Sequence, residues 1–121
     1  MRLERGSAVV EFAVVLPLLL AVLLASVEVV ALGRTQLALV QAAREGAREA
    51  AVSPDPARAV AAVQHSLGPE LARTARIGVS RPQVVGARAE VTVRLSHRFA
   101  GVLAGGIAVE LRGRAVARVE R

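Results

Sequence analysis

The chain has 121 residues, room for one small domain once a membrane helix of ~20 residues is set aside. It has no cysteine to staple so small a unit and its two histidines show no metal-ligand spacing, so neither a metal nor a cofactor is expected, and partner subunits or a membrane are left as the stabilising context. Its 16 basic residues, all arginine, set a formal charge of +6, but they are scattered in sequence and Phe12 and Phe99 are the only aromatics, which argues against nucleic-acid binding and against an aromatic-lined ligand pocket.

From Phe12 to Val27 no residue is charged, and apolar character resumes after Glu28 as far as Gly33, a span of bilayer length. Pro17 lies near its start, where a membrane helix tolerates the lost hydrogen bond. A secretory signal peptide would also have a basic start, Met1 to Arg5, and an apolar stretch, Ala13 to Ala25. Leu23-Leu24-Ala25 and Val29-Val30-Ala31, however, put a large residue where the signal peptidase needs a small one, so retention of the helix is expected. Glu11 and Glu28 bracket the span, and a carboxylate in hydrocarbon costs ~2 to 3.5 kcal/mol unless it reaches the interface or a cationic partner. Glu28 fits either the outer headgroups, close to Arg34, or a role in assembly; Glu11 fits either an interfacial position beside Arg5 or an assembly role.

Helical periodicity continues past Arg34. Leu39, Ala42, Ala43, Gly46, Ala47 and Ala50 form one stripe, with Gln41, Arg44, Glu45, Arg48 and Glu49 opposite. The pattern predicts one helix from about Ser7 to Ala51, about 65 Å long, ending at Ser53-Pro54 because a residue before proline avoids the α region. Its small residues, Ala43, Gly46 and Ala47 among them, would let another helix or a sheet approach closely, and with Glu28 they are the candidates for helix packing. Asp55-Pro56 reads as an N-cap and first turn of a short helix, with Val60, Val63 and Leu67 on one face and Gly68-Pro69 as its stop.

The period then changes to two. Ile77 and Val79 alternate with Gly78 and Ser80; Ala89, Val91, Val93 and Leu95 alternate with Glu90, Thr92, Arg94 and Ser96. In the last segment Ile107, Val109, Leu111, Ala115, Ala117 and Val119 face one way, and Glu110, Arg112, Arg114, Arg118 and Glu120 the other. A sheet apolar on one face needs a cover, and the outer half of the long helix with the short helix supplies it. The expected fold is therefore α+β: a long N-terminal helix with a transmembrane inner half, a short second helix, and a small antiparallel sheet of about three strands packed on the outer helix half. The expected boundaries are a spanning helix at 7–33 and an outer domain at 34–121, comprising helix 34–52, short helix 55–67, and strands at about 75–80, 87–98 and 107–119.

No nucleophile, base and orienting group can be assembled from the chain. His65 in the short helix and His97 on a strand read as surface or core histidines, and Gly101, Gly105 and Gly106, with no helix after them, read as a turn rather than a phosphate loop. Enzymatic function is not expected.

Arg5-Gly6-Ser7-Ala8-Val9-Val10-Glu11-Phe12, opening the apolar run, resembles the processing site of type IV pilin-like proteins. The resemblance implies a leader at 1–6, cut between Gly6 and Ser7 by a cytoplasmic-side prepilin peptidase, with Glu11 and Phe12 as the fifth and sixth residues of the mature chain. More narrowly, the stretch Arg5 to Leu20, Val27-Glu28 and Ala42-Ala-Arg-Glu-Gly-Ala-Arg48 resemble the TadE-like family of tight-adherence pilus proteins. Two departures stand out: Val29 replaces the aromatic that many relatives have after Glu28, and cysteine is lacking. The resemblance implies a minor pilin or pseudopilin in the cell membrane, N-terminus cytoplasmic before processing and domain outside, whose partners are other pilins and the Tad secretion machinery. Glu11 would pair with the N-terminal amine of a neighbouring subunit. The other reading of the same residues is a generic single-span protein with a small envelope- or ligand-binding domain, for which the Gly6-Ser7 site is accidental.

Overall fold

A computed structural model of the chain describes residues 2–98 and 107–120, and side chains from residue 5 onward. Its elements are helices α1 (Arg2–Val52), α2 (Pro56–Leu67) and α3 (Pro69–Thr74) and strands β1 (Arg76–Ser80), β2 (Arg88–Arg98) and β3 (Ala108–Arg118). The strands form one antiparallel sheet in the order β1-β2-β3. This is the α+β arrangement read from the periodicities. Gly101, Gly105 and Gly106, expected in a turn, lie outside the described residues.

α1 starts earlier than Ser7, because nothing in Leu3-Glu4-Arg5 breaks a helix and Gly6 costs only about 1 kcal/mol against alanine. Its outer half is split into two faces as the stripe predicts: Leu39, Ala42, Ala43, Gly46, Ala47 and Ala50 are buried, while Gln41, Arg44, Glu45 and Arg48 are exposed. α2 has its N-cap in Asp55, whose Oδ1 accepts from the Ala57 N–H at 3.0 Å, and buries Ala59, Val63 and Leu67; Val60 is only half-buried. Gly68, at φ 84°, ends α2 in a conformation that side-chain-bearing residues avoid, and Pro69 at once starts α3. That third helix was not expected: proline stops one helix and is equally suited to the first turn of another.

The core lies between the outer half of α1 with α2 on one side and the inner sheet face on the other. Leu39, Val63, Val91, Val93 and Val119 are its largest fully buried side chains, each Val or Leu contributing on the order of 1.5–3 kcal/mol by leaving water. Small residues set the spacing. A Cβ at Gly46 would overlap Val63 of α2, and a Cβ at Gly113 of β3 would overlap the backbone of Leu39.

Three ties fix the sheet along the helix. The Gln36 side chain donates to the Arg112 carbonyl at 2.7 Å, the Glu120 N–H donates to the Ala51 carbonyl at 2.8 Å, and His97 meets Glu28. Thus β3 runs in the direction of α1 and β2 against it. The end of α1, with no basic residue in its last turn, borrows a cation from elsewhere: Arg81 Nε donates to the Ala50 carbonyl at 2.6 Å, opposing the negative end of the helix dipole. Ile107 and Val109, expected to face inward, are exposed. At that level the helix is met by His97 of the central strand, which leaves the end of the edge strand uncovered.

Candidate functional site

From Arg5 to Val27 no side chain of α1 is buried against the rest of the described chain. Val9, Val10, Phe12, Val14, Leu18 and Leu24 each expose more than half of their surface, as do most of their apolar neighbours to Val30. The most apolar window has a mean hydropathy of 2.7, and no residue in it is buried. The helix is long and apolar enough to cross a bilayer. Ser26 Oγ donates to the Val22 carbonyl at 2.8 Å, which lets this hydroxyl remain in apolar surroundings, and higher up Thr35 Oγ1 likewise donates to the Ala31 carbonyl at 3.1 Å.

Gly6, Ser7, Glu11 and Phe12 stand in the first turns of this bare segment, all exposed. Glu11 makes no ion pair or side-chain hydrogen bond with any described residue. Ala43, Gly46 and Ala47 are elsewhere, about 60 Å up the helix from Gly6, and their contact surface is occupied by α2 and the sheet of the same chain. The sequence-derived candidates therefore divide into an exposed lower group and an upper group that holds the domain to its own helix.

Glu28 belongs to the junction. Its partner is His97, Nε2 to Oε1 at 3.1 Å with each side chain less than a third exposed, and not Arg34. The reason is angular: six residues along a helix turn about 240°, so Arg34 projects from a different face. His97 was the functional neighbour that sequence reasoning missed. Its signal was a polar, proton-carrying residue continuing the apolar face of β2, together with a carboxylate left inside a hydrophobic run. Protonated, the imidazole forms a full ion pair with Glu28; neutral, it still forms a hydrogen bond. Replacing either residue by alanine is expected to destabilise the outer domain by about 1 kcal/mol, with the double variant no worse than the singles. Urea unfolding of the full chain in micelles measures this. Fully additive losses would show that the two side chains act independently.

His65 is exposed at the last turn of α2 and shares no site with Glu28 or Glu11. In comparisons with known proteins, a family model described as TadE-like protein matches residues 6–48, the segment holding the Gly6–Phe12 and Ala42–Arg48 motifs. No curated protein and no solved structure matches the chain.

Proposed function

We propose, from the TadE-like segment at residues 6–48, that this chain is a minor pilin or pseudopilin that works structurally in assembling a tight-adherence pilus. In this reading prepilin peptidase removes residues 1–6, the new N-terminus is Ser7, and the bare half of α1 first spans the membrane and then packs among other pilin helices. The domain from Arg34 onward stands outside the cell membrane. Its contacts are other pilins and the Tad machinery, and no catalysis is involved.

The observation that carries this reading is the unpartnered Glu11 on an otherwise apolar, uncovered helix. Alone in a bilayer the carboxylate can stay at the headgroups. Within a helical bundle an unpaired charge is costly, and the cationic amine of a neighbouring Ser7 is a matched partner. Glu11→Ala should leave insertion and the outer domain intact, because it makes the lower helix more apolar and touches nothing above Glu28. Recovery of the processed variant with its partner pilins should fall by roughly tenfold, the effect of ~1.4 kcal/mol. Glu11→Gln, retaining shape without charge, should show the same defect or a milder one. Undiminished co-isolation of both variants would reduce Glu11 to an interfacial carboxylate and favour a single-span protein unrelated to pilus assembly.

A further inference from the structure

Folding gathers arginines that are scattered in the sequence. Cross-strand partners share a face of the sheet, and on the face turned away from α1 the register places Arg76 opposite Arg94 and Arg94 opposite Arg112, one row across all three strands. Farther along, Arg88 stands opposite Arg118, with Arg114 between the two rows. All of these side chains are exposed. Like charges directly opposite one another destabilise a sheet, so this arrangement works against the fold that carries it.

Composition does not explain it. On the outer surface of the helical layer Arg44, Arg48, Arg58 and Arg73 are interspersed with Glu45, Glu49, Asp55 and Glu70, and Arg48–Glu45 and Arg58–Glu49 are ion pairs at 3.8 and 3.3 Å. On the sheet face Glu90 and Glu110 are held by Arg114 at 2.8 Å and Arg94 at 3.9 Å, and Glu120 follows Arg118 just past the end of β3. Arg76, Arg88, Arg112 and Arg118 remain without an acidic partner among the described residues.

We infer that this face binds an acidic polysaccharide, a chain carrying carboxylates at regular intervals. Neighbouring strands are ~4.8 Å apart, so the three-arginine row concentrates positive charge along one line across the sheet, suited to a chain with many carboxylates. Guanidinium pairs with carboxylate through two parallel hydrogen bonds. The face is open, and Ser80, Thr92 and Ser96 lie among the arginines as further hydrogen-bonding groups. Other polyanions fit less well. Single-stranded nucleic acid lacks a stacking platform, since no aromatic stands on the face among the described residues. An acidic protein lacks an apolar anchor, because Val116 is the face's single large aliphatic among the described residues. A bilayer crossed by α1 faces only the strand ends near His97, since the strands run alongside the helix. The binding needs no cut at Gly6 and does not depend on the pilin reading.

The test uses the full chain in nanodiscs of neutral phosphatidylcholine, with polygalacturonate as probe, dextran as the uncharged control and a short DNA duplex as the competing polyanion. Polygalacturonate should bind, dextran should not, and affinity should drop tenfold or more between about 50 and 200 mM salt as counterion release is lost. Replacing Arg76, Arg94 and Arg112 by glutamine should weaken binding at least tenfold; Arg88→Gln with Arg118→Gln provides a second variant on the same face. Replacing Arg44, Arg48 and Arg73, which removes the same charge from the helical side, should change it by less than about twofold. Circular dichroism checks that each variant retains its fold. Equal weakening by the two triple variants, no binding of polygalacturonate, or tighter binding of the duplex than of polygalacturonate at equal salt would each overturn the assignment.

Discussion

Gly113→Val should cost the outer domain about 3 kcal/mol or more, the largest loss expected of any single substitution in this chain. Gly113 is buried on the inner face of β3, opposite the fully buried Val93. A Cβ there would overlap the carbonyl of Leu39 and crowd Val40 N, which are backbone atoms inside a continuous helix rather than the end of a side chain that can swing away. Relief requires β3 to lift from α1, which also strains the bond from Gln36 to the Arg112 carbonyl next door. Gly78 is the internal control. It lies on the exposed face of β1 with nothing nearer than Thr92 O at 3.9 Å, so Gly78→Ala should change stability by less than about 0.5 kcal/mol. Urea midpoints of the full chain in micelles compare the two, and a Gly113→Val midpoint matching the parent's would mean that β3 does not rest on the backbone of α1.

Processing is expected to be all or nothing. With prepilin peptidase coexpressed, intact-mass measurement should find the parent chain shortened by residues 1–6, and Gly6→Val at full length. Gly6 lies within α1, where an added Cβ meets nothing within 4 Å, so valine is sterically accommodated by the chain itself. Loss of cutting would then report what the peptidase requires. A protease reads an extended strand, and glycine, about 1 kcal/mol poorer than alanine in a helix, is where this helix opens most readily; a β-branched residue also obstructs close approach to the bond. A parent chain that still begins at Met1 beside active peptidase, or one cut near Ser26, would remove the ground for the pilin reading.

The architecture was legible because each element obeys its own period. Leu39 to Ala50 and Ala89 to Leu95 separate buried from exposed positions with little ambiguity, and Asp55-Pro56 marks a helix start that the Oδ1 cap realises. Features depending on two distant segments were not legible. No local signal pairs Glu28 with His97, 69 positions away. Gly113 interrupts the apolar series of β3 without revealing that a helix backbone lies against it. The arginines looked scattered because strand register, which alternation alone does not fix, brings Arg76, Arg94 and Arg112 side by side. Among the site residues, Gly6, Ser7, Glu11 and Phe12 are recognisable as a local motif, and Ala43, Gly46 and Ala47 lie on the stripe expected to cover the chain's own sheet; what the sequence did not show is that α2 also packs there, with Val63 against Gly46.

The ties at Glu28, Gln36 and Ala51 make the upper part of α1 a splinted beam. Those contacts grip about 35 Å of helix at 1.5 Å per residue, leaving no hinge between the top of the apolar segment and the head of the domain. Leaning of the lower segment is therefore carried upward at full angle. A lean of about 20°, ordinary for a helix in a bilayer, sweeps the Ala51 end sideways by about 12 Å relative to Glu28. The domain reports mechanically on the posture of the lower helix, as the tip of a lever reports on its pivot.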